Sequence, residues 1–177
     1  MHNQTSKHRC ETKSPAPIWT PPPPGTVLVN SDAGNFEVNG KMGAGVVIRD
    51  HHGNCLAACR HQLPGLAPPE EAEALALRRA VLLAREEGFG RAIFATDCLS
   101  LVHRLNSSLM DRSPVGILVG GIKHMTNSFT MVSFIHVKRS LNEAAHLLAQ
   151  SCNSVASSEV FHSAPDCIRR TTCIDII

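Results

Sequence analysis

Near residue 68 the apolar residues of this chain stop clustering in short strand-like runs and begin to recur at helical spacing. Ahead of that point lie three β-branched, apolar runs: Thr26 to Asp32, Gly43 to Arg49 and Cys55 to His61. Ala33-Gly34 with its polar neighbours separates the first two, and Asp50-His51-His52-Gly53-Asn54 separates the last two. Short apolar runs divided by Gly, Asn and Asp read as three strands of an antiparallel meander. Pro68-Pro69-Glu70-Glu71 then opens a helix, since proline fits a first turn and carboxylates there complement the helix dipole. Ala74, Leu77, Val81 and Ala84 mark its buried stripe, and Gly88 ends it.

Strands and helices alternate from there. Arg91 to Thr96 reads as a fourth strand, Asp97 to Leu109 as a second helix, and Ser113 to Asn127 as a less regular helix. Phe129 to Val137 reads as a fifth strand. Ser140 to about Ser157 closes the domain as a helix, with Ser140 and Glu143 spaced as a capping box. The expectation is an α/β fold: a five-stranded mixed sheet, three strands in an antiparallel meander plus two parallel strands, flanked by helices.

At 177 residues the chain suits one ordinary domain with tails. Residues 1–25 are expected to be a flexible Pro-rich tail, 26–157 the domain and 158–177 a second tail, whose end from Cys173 to Ile177 is apolar enough to pack somewhere. Pro21 to Pro24 favours extended polyproline II, either as an SH3-type ligand or as a stiff linker with Trp19 tucked against the domain. Setting aside Lys7, Arg9, Lys13 and Glu11 leaves 14 cations and 14 anions from Ile18 onward, so nucleic-acid contact would need a local patch. The longest uncharged apolar run, Val115 to Ile122, falls far short of the ~20 residues that cross a bilayer. With no secretory h-region in Met1 to Pro17, an intracellular protein is expected, nucleus or cytoplasm not distinguished, as a monomer without membrane contact. Seven scattered cysteines fit reduced thiols. A zinc site from His51, His52, Cys55 and Cys59 is the lesser alternative, because those residues flank a hairpin.

Two acids stand at the carboxyl ends of strands, where mixed sheets gather ligands: Asp32 ends the first and Asp97 the fourth. Glu73 shares a helical stripe with Leu77 and Ala80 and so faces the sheet. Singly, Asp97 reads as an N-cap, Glu73 as a first-turn acid and Asp32 as a turn residue. Jointly, three carboxylates at one edge of a core repel unless a cation joins them, and a divalent metal is the economical answer.

Five segments then resemble ribonuclease H-like domains, in order. They are Val29-Asn30-Ser31-Asp32-Ala33-Gly34; Gly43 to Asp50 with Gly53; Ala72-Glu73-Ala74-Leu75-Ala76-Leu77; Thr96-Asp97-Cys98-Leu99-Ser100-Leu101-Val102; and Val137-Lys138-Arg139 through Asn142 to Ala145-His146-Leu147-Leu148-Ala149. The likeness covers about residues 18 to 170 and is nearest the plant subgroup related to retrotransposon reverse transcriptases, whose entry segment Trp19 and the prolines resemble.

The resemblance implies a metal-dependent endonuclease that hydrolyses the RNA strand of RNA/DNA hybrids with two Mg2+ ions. Asp32 would bridge both ions, and Glu73 and Asp97 would complete the one that stabilises the leaving oxygen. The fourth acidic position carries His146, whose neutral imidazole is a poor ligand for Mg2+ and a better one for Mn2+. A half-exposed surface histidine is the alternative reading of His146, and Glu143 is a substitute ligand if its capping role permits. The connection from Val137 to Asn142 is short beside relatives that place another histidine in a long loop there. A second function therefore stands beside the first: a weakened or inactive, retroelement-derived module that binds a hybrid, another nucleic acid or a protein. A related two-metal exonuclease would need a first-strand D-x-E pattern, and Gly34 replaces its acid.

Overall fold

Alternating side chains on one central strand explain why this chain makes two helical layers. In the computed structural model, which describes residues 18–172, Val46 and Ile48 face one side of the sheet and Val47 the other. A run of adjacent apolar residues is what a strand covered on both faces needs.

The elements are β1 (Val27–Phe36), β2 (Lys41–Arg49), β3 (Cys55–Pro64), α1 (Pro69–Glu86), β4 (Arg91–Thr96), α2 (Leu99–Asn106), α3 (Pro114–Met125), β5 (Met131–His136), α4 (Glu143–Ser151), β6 (Glu159–Phe161) and α5 (Arg169–Thr172). The sheet order is β5-β4-β1-β2-β3-β6. The β1–β4 and β4–β5 pairs are parallel, and β1–β2, β2–β3 and β3–β6 are antiparallel. The sheet thus has six strands where five were expected. The sixth comes from the 158–177 segment: β6 pairs Phe161 to Glu159 against Ala58 to Arg60 of β3. Three residues are too few to show an alternation. Ile168, from the same segment, is fully buried beside Val47, Ala58 and Leu148. Cys173 to Ile177 lies outside the described residues, as do residues 1–17.

One face of the sheet packs on α1, α2 and α3 through Leu77, Val81, Leu101, Leu105 and Ile122. α1 stops as expected at Gly88, whose φ of 79° lets its N–H reach the Arg85 carbonyl and the Phe89 N–H reach Ala84. The other face packs on α4 through Ala144 and Leu148. There, Gly43 and Gly45 of β2 let the helix backbone rest on the strand: a Cβ at Gly45 would collide with the Ala145 carbonyl and the Ala149 amide. Near the start of α4, Trp19 covers Leu28 and Ala95 and is itself buried.

Three local expectations are corrected. The closing helix is short, and Ser140 and Glu143 form no capping box, because Ser140 belongs to a 3-10 turn (Arg139–Leu141) and Asn142 takes the cap position. The Asn142 side chain is spent elsewhere, donating to the Ser31 carbonyl (2.9 Å) and accepting from Asn30 (3.0 Å). α2 begins at Leu99 after Cys98, so Asp97 is not its cap; the Thr96 hydroxyl accepts from the Cys98 N–H instead. The zinc alternative also fails. A register shift after Arg49↔Cys55 sends Cys55 to the α4 side and Cys59 into the α1 side, and the described cysteines 55, 59, 98, 152 and 167 are free thiols. No helix among the described residues is long and apolar enough to cross a membrane.

Candidate metal centre

β1 has two neighbours of unequal length, and the site lies where one of them runs out. Its parallel pairing with β4 ends at Asn30↔Ala95, while its antiparallel pairing with β2 continues to Phe36↔Lys41. Asp32 therefore sits inside β1 and not at its end as expected, because Ala33 and Gly34 stay extended against Ala44 and Gly43. It does lie just beyond the end of the β4-paired stretch. Asp97 directly follows Thr96, the last residue of β4. The adjacent parallel strands thus bring both acids to the crevice where open sheets hold ligands.

Glu73 arrives from the early part of α1. The N–H of Ala33 donates to its Oε1 at 3.3 Å, using the β1 edge that β4 leaves free. Asp32, Glu73 and Asp97 each offer an oxygen, and these oxygens all lie within 4.8 Å of one another. Among the described residues this is the one group of His, Cys, Asp or Glu side chains placed to share an ion. The expected convergence of the three carboxylates on one edge is what the structure shows.

Electrostatically the group is under-compensated. Burial, with Asp32 and Asp97 nearby, pushes the Glu73 carboxyl up to about 8. Burial also raises Asp32, with Asp97 adding to it, against the pull of a hydrogen bond from His146 and the field of Arg139. Glu73 Oε2 is buried without a hydrogen-bond partner. An orphaned carboxylate oxygen beside two further carboxylates is a hard, oxygen-rich donor set that fits a divalent cation such as Mg2+ or Mn2+.

His146 is the fourth expected residue, and it meets the group through Asp32. Its Nδ1 lies 2.7 Å from Asp32 Oδ2, with 29% of the histidine side chain exposed against 4% of the aspartate's. It is neither a plain surface residue nor part of the three-carboxylate group. Glu143 is exposed and does not join the group either. The residues that fix His146 are not among those the sequence marks as site residues. Arg49 donates to Asn30 (2.8 Å), Asn30 to Asn142 (3.0 Å), and Asn142 to the Ser31 carbonyl (2.9 Å). The carbonyl of Asn142 in turn accepts from the His146 N–H at 3.0 Å. Asn30 alternates with Asp32 on the same face of β1, and that period-two spacing was the available signal.

Comparison with known proteins places the fold. RNase H1 from the halophilic archaeon Halobacterium salinarum NRC-1 superposes with a TM-score of 0.67 at 23% identity, over 74% of this chain and 99% of that one. LC11-RNase H1, solved in complex with an RNA/DNA hybrid, matches with a TM-score of 0.62 at 22% identity, over 71% and 94%. The prototype foamy virus protease-reverse transcriptase matches with a TM-score of 0.53 at 16% identity, over 82% of this chain and 23% of the viral one. No curated protein sequence matches the chain. The fold these structures share is ribonuclease H-like, and the model of the reverse transcriptase-like family spans residues 30–152, from Asn30 beside the site through all of α4: the chain belongs to that family.

Proposed function

We propose that this protein is a divalent-metal-dependent endonuclease of the ribonuclease H type, hydrolysing the RNA strand of RNA/DNA hybrids. The observation that carries the reading is the meeting of Asp32, Glu73 and Asp97 oxygens within 4.8 Å of one another, with Glu73 Oε2 buried and unpartnered. A bound pair of Mg2+ or Mn2+ ions supplies charge neutralisation at the scissile phosphate and an activated water. The chain's own residues do the rest. Asp32, held against β2 and braced by His146, offers its second oxygen to the centre. Glu73 closes the group from the α1 side and Asp97 from the end of β4. His146 brings nitrogen where the ribonuclease H pattern brings a carboxylate, so Mn2+ should serve better than Mg2+. RNA is distinguished from DNA by its 2′-hydroxyls. The hybrid-bound relative lends support to the substrate class.

A second reading has its own support: His146 in place of an acid, and an even charge balance from Ile18 onward, suit a retroelement-derived module that binds nucleic acid without cutting. A cleavage assay on a hybrid duplex, with Mg2+ and Mn2+ side by side and Asp32→Asn as control, separates the two. Hybrid-specific cleavage lost in the variant supports the nuclease. Intact hybrid binding by folded protein, with no cleavage under either metal, supports the module.

A further inference from the structure

Away from the acidic group, a buried cation stands without a counter-charge. Arg49 is 2% exposed, and among the described residues no carboxylate pairs with it. Its Nη2 donates to Asn30, its guanidinium lies 4.9 Å from the centre of the Trp19 ring, and its Nε has no partner. Burial pushes its pKa down to about 10, and the one ionisable neighbour whose field reaches it is the Cys55 thiol. Arginine stays charged at that value, so the fold carries the cost of an uncompensated buried cation.

Arg49 and Trp19 line a cavity of about 330 Å³, together with Ser140, Glu143, Ala144 and Thr171. Glu143 and Ala144 are the first two residues of α4, and no side chain caps that helix start, because Asn142 turns inward. A cavity combining a guanidinium, an uncapped helix N-terminus and the Ser140 hydroxyl is complementary to a tetrahedral oxyanion, while the Thr171 hydroxyl already donates to the Ile168 carbonyl. Glu143 is the discordant neighbour, and its exposure at the rim lets it swing into water.

The geometry points to a binding site for a phosphate group at the start of α4, with Arg49 as its principal donor. Two sources offer that chemistry, free phosphate and the terminal phosphate of a nucleotide. The site is separate from the acidic group and its occupancy does not depend on the proposed nuclease activity.

Trp19 is the chain's single tryptophan and there is no tyrosine, so ultraviolet emission comes from this one indole; because Trp19 also lines a second cavity with Leu28 and Ile135, the Arg49 and Glu143 variants assign any response to the cavity at the start of α4. The test titrates the whole protein, in metal-free buffer with chelator, with inorganic phosphate and separately with a 5′-mononucleotide, against sodium chloride at matched ionic strength. A saturable change in Trp19 emission with phosphate and none with chloride is expected. Glu143→Gln should tighten binding about threefold by removing the rim charge, and Arg49→Lys should weaken it about tenfold by removing the fork. Tighter binding of the mononucleotide assigns the nucleotide source, and equal binding assigns free phosphate. A response that does not saturate, or one equal in wild type, Glu143→Gln and Arg49→Lys, overturns the site. Should Arg49→Lys fail to fold, Ser140→Ala, altered at an exposed position, replaces it, with weakening expected and an unchanged affinity overturning the proposal. Because no metal is present, failure here leaves the nuclease reading untouched.

Discussion

His146 Nδ1 and Asp32 Oδ2 are 2.7 Å apart, across the junction of α4 with β1, the strand that pairs parallel with β4 and antiparallel with β2. The contact occupies one oxygen of an aspartate that is 3% exposed and leaves the other for an ion. In the proposed nuclease it also puts an imidazole at the position assigned to a hard anionic ligand.

Replacing that imidazole is therefore expected to increase activity. His146→Asp should raise Mg2+-supported cleavage of a hybrid by roughly ten- to a hundredfold, the scale on which changing a residue that supports a metal ligand alters affinity or activity. His146→Ala should lower the Mn2+-supported rate. Initial rates for the three proteins under each metal check this. A His146→Asp protein no faster than wild type with Mg2+ would show that position 146 does not serve the metal centre.

The carboxylates make metal-free stability depend on pH with a definite sign. The Glu73 carboxyl is raised from 4.5 to about 8, so the folded protein keeps a proton that the unfolded chain releases near its ordinary value. The stability carried by that proton is fully present below about 4.5 and is lost as pH rises through about 8; the raised Asp32 acts in the same sense. In chelator, the melting temperature should fall by several degrees between pH 5 and pH 8, given about 2–4 °C per kcal/mol for a chain of this size. Mg2+ or Mn2+ should restore it at pH 8 by binding the folded state. Calorimetry with Glu73→Gln as comparison decides the matter: the variant should lose most of the slope and most of the metal effect.

Asp32→Asn tests the same group without a pH change. Removing the most buried carboxylate relieves repulsion, so the metal-free variant should melt at or above the wild-type temperature while losing the metal-induced shift. Equal metal-induced shifts in both proteins would place the ions elsewhere.

The three-carboxylate group was more legible than its support. Asp32, Glu73 and Asp97 could be read because each is tied to a local rule: two follow apolar strand runs, and one sits on a helical stripe with Leu77. Local rules misled where a distant partner competes for the same group. Ser140 and Glu143 have capping-box spacing, yet Asn142 holds the cap position because its side chain makes two buried bonds to β1. β6 is stabilised by its pairing with β3 and by nearby Phe161 and Ile168 packing, none of which is visible in a three-residue stretch. His146 on a half-buried helix face was legible, but not its partner, because the glycines of β2 decide how closely α4 approaches.

That approach gives a steric prediction. A methyl at Gly45 would meet the Ala145 carbonyl, the Ala149 amide and the Leu148 side chain, and two of these are backbone and cannot rotate away. Gly45→Ala should destabilise the protein by about 1–3 kcal/mol, the range for overpacking a filled core, seen as a lower urea midpoint at unchanged slope. Because α4 carries His146, the hydrogen-bonded Nδ1 proton signal in the NMR spectrum should also move. Gly40→Ala is the wrong control, since its φ of 59° adds strain of its own; Gly120→Ala, with open space at its Cβ position inside α3, should leave the Nδ1 signal in place and raise the stability by up to about 1 kcal/mol, alanine being the better helix former.

Asn142 offers the sharpest separation of hydrogen bonding from packing. Asn142→Ala would leave the Ser31 carbonyl without its donor and the Asn30 amide without its acceptor, both in a buried setting where an unmet polar group costs about 1–3 kcal/mol. Asn142→Asp keeps the shape and the acceptor but not the donor to Ser31, and it buries a charge within reach of Arg49 through Asn30. If hydrogen bonding dominates, both variants lose stability, and the aspartate variant loses less at pH 4 than at pH 8 because its protonated carboxyl can donate to Ser31 again. Urea midpoints at the two pH values, each taken relative to wild type at the same pH, read the difference. A pH-independent loss equal in the two variants would mean that the side chain's volume, and not its donor, holds α4 on β1.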